Sequence, residues 1–182
     1  MDILIIYLTR TQYTKNIALQ ISELLENDHK IDMVAISEKK KYHFMKFTFA
    51  PVGTDNVNVS SVIGSPKLYF DTFTKKRPKL DEINIDFNKY DLIFLGSPIW
   101  YGNLPPAINT FIADYASILS KKKIFIFITS GCGKGYTEYI NILKNAVEGA
   151  GINIIGQLHK ISGTYLTKED KIMILNAVKS LK

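Results

Sequence analysis

Apolar residues in this chain fall into short unbroken runs, separated by stretches in which they recur every three or four positions. The first run is Ile3-Leu4-Ile5-Ile6-Tyr7-Leu8; others cover residues 90–95 and 123–128. Runs this short, rich in β-branched and aromatic side chains, predict strands covered on both faces. After the first run, Ile17, Ala18, Ile21, Leu24 and Leu25 keep helical spacing, which predicts a helix over about residues 11–26 and a strand over 30–36. Pro105-Pro106 opens a helix with Ile108, Phe111, Ile112 and Tyr115 on one face, proline being suited to a first turn. A further helix is expected over about 136–148, stopped by Gly149-Ala150-Gly151. A fifth strand follows over 152–158. Thr167 and Asp170 stand at capping-box spacing before a last helix to about residue 181. Strands alternating with helices imply right-handed crossovers and an α/β fold built on a parallel sheet.

Residues 39–80 break this rhythm. Tyr42, Phe44, Phe47, Phe49, Tyr69, Phe70 and Phe73 make the stretch too aromatic for a disordered segment. A crossover helix is expected within it, over about 60–73 in spite of Gly64 and Pro66. An insertion of this length points to a function or an interface, a homodimer contact among them.

Three loops leave the carboxyl ends of the predicted strands, where open α/β sheets bind ligands. The first is Thr9-Arg10-Thr11-Gln12-Tyr13-Thr14, at a strand-to-helix turn. Free N–H groups and the positive end of the helix dipole converge there, which suits a phosphate, and the threonines add uncharged donors. The plainer reading is an N-cap with extra threonines. The second loop is Gly96-Ser97-Pro98-Ile99-Trp100-Tyr101-Gly102-Asn103, and the third is Thr129-Ser130-Gly131-Cys132-Gly133-Lys134-Gly135.

The 182 residues fit one domain, and the formal net charge is +6. The lysine clusters are scattered and not interleaved with aromatics, so a solvated basic surface explains them better than a nucleic-acid platform does. One cysteine leaves no internal disulfide, and no apolar run reaches the roughly 20 residues needed to span a bilayer. With Asp2 and no basic leader ahead of the first strand, a cytoplasmic protein is expected. Cys132 has no CxxC partner and lends its backbone more readily than its thiol. His29, His43 and His159 are too far apart in sequence to suggest a metal site. The first turn lacks the glycines of a dinucleotide fingerprint, no P-loop is present, and Ser97 and Ser130 lack a nucleophile elbow.

The three loops together, above all Gly-Ser-Pro-x-Trp at Gly96 to Trp100 before a proline-initiated helix, resemble the flavodoxin family. The likeness runs over nearly the whole chain except about residues 39–79. It implies a three-layer sandwich with sheet order 2-1-3-4-5 and FMN as cofactor. By the same resemblance Thr9, Thr11 and Thr14 supply hydroxyls to the phosphate, and Arg10, Gln12 and Tyr13 supply backbone N–H groups. The family usually has glycine at the position of Gln12; a side chain is tolerable there if φ stays negative. The flavin ring is expected between the second and third loops, touched by Ser97, Pro98, Ile99, Thr129, Ser130, Gly131, Cys132 and Gly133. Trp100 or Tyr101 would stack on it, Gly102 and Asn103 would offer amide donors, and Tyr136 would pack on the other face. Catalysis would then belong to the flavin, in electron exchange with a redox partner protein or NAD(P)H and with a small acceptor such as a quinone. The other open reading is a non-redox, partner-binding module on the same fold.

Overall fold

The computed structural model describes residues 1–40, 42, 44–48, 60–64, 66–131 and 136–181, with 44–48, 60–64, 136 and 137 described by their backbone alone. Its main sheet is made of β1 (Asp2–Tyr7), β2 (Lys30–Ala35), and three later strands. Between β2 and those strands lie β3 (Phe44–Thr48) and β4 (Ser60–Gly64), which pair with each other, antiparallel, in a separate small sheet. The later strands are β5 (Leu92–Pro98), β6 (Lys123–Ser130) and β7 (Asn153–Ile161). All pairings in the main sheet are parallel and the order is β2-β1-β5-β6-β7, which is 2-1-3-4-5 counted over that sheet alone.

Helices α1 (Tyr13–Leu25), α2 (Pro66–Phe73), α3 (Pro106–Leu119), α4 (Tyr136–Gly149) and α5 (Lys168–Lys179) complete the chain. The unbroken apolar runs are explained by two cores, one on each face of the sheet. Along β1, Leu4, Ile6 and Leu8 face a core shared with Ile108 and Phe111 of α3 and Leu143 of α4. Ile3, Ile5 and Tyr7 face the opposite core with Ile17 and Ile21 of α1 and Ile174 of α5. The same alternation continues through β5 and β6. Each fully buried large side chain contributes about 1.5–3 kcal/mol, so these central strands anchor the loops at their ends.

The helix expected over 60–73 is only partly a helix. Residues 60–64 form β4 and α2 begins at Pro66. Proline disfavours helical geometry in the residue before it and is itself at home in a first turn, so Pro66 divides the segment instead of lying inside a helix. The first helix starts at Tyr13, two residues later than its periodicity suggests, because Gln12 is in the left-handed region. The last strand extends to Ile161, beyond the expected end at residue 158. At the last helix, Thr167 accepts from the Asp170 N–H and Asp170 accepts from the Thr167 N–H at 2.8 Å, completing the capping box. Among the described residues no helix is long and apolar enough to cross a membrane.

Candidate functional site: three loops at the carboxyl edge

The first loop is held at its base by the sheet. The Leu8 N–H donates to the Gly96 carbonyl at 3.0 Å and the Ile36 N–H to the Tyr7 carbonyl at 2.7 Å. Gln12 follows as the N-cap of α1, with φ 68° and ψ −8°, and its side chain makes no capping bond. The negative φ required of Gln12 by the sequence argument is therefore not what the chain adopts. The left-handed turn that suits glycine is kept with a side chain present, at a strain of about 1–2 kcal/mol. No acidic residue stands in the first turn of α1. The leading N–H groups of that helix, from Tyr13 onward, have no acceptor within it, and its positive dipole end is unopposed. Thr9 Oγ1 is buried and has no hydrogen-bond partner among the described residues. An unsatisfied buried hydroxyl is unfavourable by about 1–3 kcal/mol, so this turn is short of an acceptor. A phosphate oxygen would meet that need.

The other hydroxyls of the loop differ in their surroundings. Thr11 is half-buried, while Thr14 is buried and shares a 2.8 Å hydrogen bond with Thr129 Oγ1 at the end of β6. Arg10 turns its guanidinium to Glu38, just past β2, in an ion pair whose carboxylate side chain is 0% exposed. Burial pushes the Glu38 carboxyl above its ordinary range, and Arg10 draws it only partly back.

In the second loop Ser97 is buried and donates to the Pro98 carbonyl at 2.8 Å, and the Ile99 N–H donates to the Thr129 carbonyl at 2.8 Å. Trp100 and Asn103 exchange both backbone hydrogen bonds at 2.9 Å, with Tyr101 (φ 50°) and Gly102 (φ 74°) between them. Two successive positive φ values make this a type I′ turn. The Asn103 backbone N–H closes the turn on the Trp100 carbonyl, which leaves the Asn103 side-chain amide and the Gly102 N–H as the donors of this loop. Trp100 is half-buried against the core beneath α3 and α4, beside Ile99. Tyr101 is 38% exposed and meets Tyr69 of α2 edge-on, ring centres 5.2 Å apart.

Thr129 and Ser130 begin the third loop and are both buried; Gly131 is exposed. Ser130 Oγ lies 2.8 Å from Nε2 of His159 on β7, an imidazole whose pKa is lowered by burial and further by Lys160. Cys132 and Gly133 lie outside the described residues, as does the side chain of Tyr136. Among the described residues no group of His, Cys, Asp and Glu converges as metal ligands.

The structure thus brings Thr9 to Thr14, Ser97 to Asn103 and Thr129 to Gly131 to one edge of one sheet. It adds three residues that the sequence did not assign to this site: Glu38, His159, weighed there only as a metal ligand, and Tyr69, noted only among the aromatics of residues 39–80. The available signal for Glu38 was its place, a carboxylate immediately beyond a strand end at the ligand-binding edge.

The family model for flavodoxin matches residues 2–170 of the chain. The chain belongs to the flavodoxin family. A search of functionally curated proteins gives no match. Among solved structures, a candidate flavoprotein from Bacteroides eggerthii is 22% identical with a TM-score of 0.65, covering 99% of this chain and 97% of that one. A flavoprotein from Lactobacillus acidophilus, solved in complex with FMN, is 23% identical with a TM-score of 0.60, over 87% of this chain and 92% of its own. The two-electron reduced flavodoxin of Megasphaera elsdenii is 20% identical with a TM-score of 0.57, over 97% and 98% respectively. At these identities the likeness to each structure is one of fold.

Proposed function

We propose that this flavodoxin-family protein binds FMN and exchanges electrons through it, taking them from a redox partner protein or a reduced nicotinamide and passing them to a small acceptor such as a quinone. The observation that carries the proposal is the first turn of α1. N–H groups that have no acceptor within the helix, a positive helix end and a Thr9 hydroxyl without a partner among the described residues meet there without a competing acidic side chain. The N–H groups at the start of α1, with Thr9 and Thr11, would hold the phosphate. Trp100 and Tyr101, on their rigid type I′ turn, would wall the ring, and the third loop would close its far side. FMN supplies the redox chemistry; the protein's part is to orient it, limit water and set its access.

The absorption spectrum of freshly purified protein tests the cofactor, since bound flavin gives bands in the blue and near-ultraviolet. Adding FMN to stripped protein should also quench the fluorescence of Trp100, the only tryptophan. A colourless protein whose Trp100 emission ignores FMN would overturn the reading and leave a partner-binding module. Anaerobic mixing of the loaded protein with NADPH then identifies the donor. Bleaching within seconds marks a reductase, and no bleaching over many minutes marks a carrier reduced by a protein.

A further inference from the structure

Arg10 is the one cationic side chain between Thr9 and Thr14, and it does not face the ligand turn unopposed. Its Nη2 is paired with Oε2 of Glu38, whose other oxygen, Oε1, is buried without a partner among the described residues. Glu38 is fixed from behind. It forms an isolated antiparallel bridge with Leu80, and the next N–H, of Lys39, donates to the Lys79 carbonyl at 3.0 Å. A carboxylate whose side chain is 0% exposed attracts the guanidinium strongly, because a charge-assisted bond gains strength where solvent does not compete for it.

We propose that Glu38 masks Arg10, so that the cradle holds a phosphate by N–H groups and hydroxyls alone and discriminates against simple anions. The proposal rests on the FMN reading but concerns a different property, the charge that the turn shows to a ligand. With Arg10 neutralised, residues 9–14 show a ligand no full charge, only the partial charge of the helix end, and the nearest other cation of the segment, Lys15, is exposed to solvent. That partial charge is sufficient for a phosphate already positioned by its attached ring, and weak for a free one. Without the mask, a full cation would stand in the same turn and bind anions of any shape. Glu38 is thus a specificity-determining residue that acts through Arg10 and does not itself touch the phosphate.

The test compares wild-type protein, E38Q and the double variant R10Q/E38Q, titrated by calorimetry with FMN and, separately, with inorganic phosphate. E38Q should bind FMN about tenfold tighter, as one added charge-assisted bond to phosphate would give. It should also acquire measurable affinity for inorganic phosphate, and its affinity for both should fall more steeply with salt than in wild type. Adding R10Q should cancel all three gains. Unchanged or weaker binding by folded E38Q, or gains that survive R10Q, overturns the proposal. Should E38Q fail to fold, the salt dependence of wild-type FMN binding decides. A shallow dependence supports a cradle of neutral donors, and one as steep as a cation–phosphate contact produces overturns it. Should wild-type protein bind no FMN, the functional reading fails while the phosphate titrations of the three proteins still judge the mask: phosphate binding gained in E38Q and lost again in R10Q/E38Q supports it, and no difference overturns it.

Discussion

Thr14 and Thr129, 115 positions apart in sequence, share a 2.8 Å hydroxyl–hydroxyl bond in the interior. It fastens the start of α1 to the end of β6, and so ties the first ligand loop to the third. T14V keeps the shape and leaves the Thr129 hydroxyl buried without its partner, which should destabilise the protein by about 1–3 kcal/mol. T129V should do the same. The double variant T14V/T129V should lose clearly less than the sum, because neither hydroxyl is then stranded. Urea unfolding of the four proteins measures this, and strict additivity would show that the bond carries no coupling.

Gln12 holds φ 68° at the N-cap of α1. Q12G should relieve about 1–2 kcal/mol of strain while adding about 0.4–1 kcal/mol of unfolded-state entropy, for a net gain of up to about 1.6 kcal/mol. The expected readout is a higher urea midpoint at unchanged slope. Q12V should shift the midpoint the other way, since a β-branched residue suffers most at positive φ.

Much of this was legible in the sequence and some was not. The two-sided strands were visible because continuous apolar runs leave no other packing. The start of α3 at Pro106 and the Thr167–Asp170 cap were visible because their chemistry is local. The left-handed Gln12 was not, since nothing in a side chain records that its backbone is held in a conformation glycine prefers. The pairing of 60–64 with 44–48 was missed for a related reason: the pairing is between segments, and no periodicity within either announces it. Glu38 could be placed at a strand end, but its partner, 28 positions earlier, is set by the parallel alignment of β1 and β2.

Gly96 on β5 lies opposite Phe127 on β6, and a Cβ there would come within 2.2, 2.6 and 2.8 Å of ring atoms. G96A should therefore destabilise by about 1–3 kcal/mol through overpacking. Part of that loss should return in G96A/F127L, where the ring is removed. Thermal unfolding of the single and double variants checks it, and a G96A protein as stable as wild type would mean that the ring moves aside freely.

Asp71 on α2 gives a pH dependence of definite sign. Burial alone would raise its carboxyl, but hydrogen bonds from Lys67 and Tyr42 and the charge of Lys76 override it and hold it below the ordinary range. The group therefore stabilises the fold above the unfolded carboxylate value of about 3.9, and that contribution is lost as pH falls through the lower, folded value. Glu38 acts oppositely. Its raised carboxyl makes the fold more stable as pH falls from its folded value toward the unfolded one. In acid titrations followed by circular dichroism, D71N should lose stability less steeply than wild type below that unfolded value. E38Q should remove the gain seen above it. Parallel curves for all three would contradict both assignments.

Helix α2 turns Leu68, Asp71 and Thr72 inward and Tyr69, Phe70 and Phe73 outward, the last three 50%, 65% and 53% exposed. The buried Leu68 and the hydrogen bond from Tyr42 to Asp71 tie it to the rest of the protein, while the Thr72 hydroxyl on the Leu68 carbonyl and the Lys67–Asp71 pair brace the helix internally. Foldability and outward appearance are thus written in separate letters of the same eight-residue helix. Exposed positions tolerate exchange within about 0.5 kcal/mol, so drift at 69, 70 and 73 can redraw the face beside Tyr101 while the inward letters stay fixed. In an evolving lineage that region is free to change its acquaintances without renegotiating the fold.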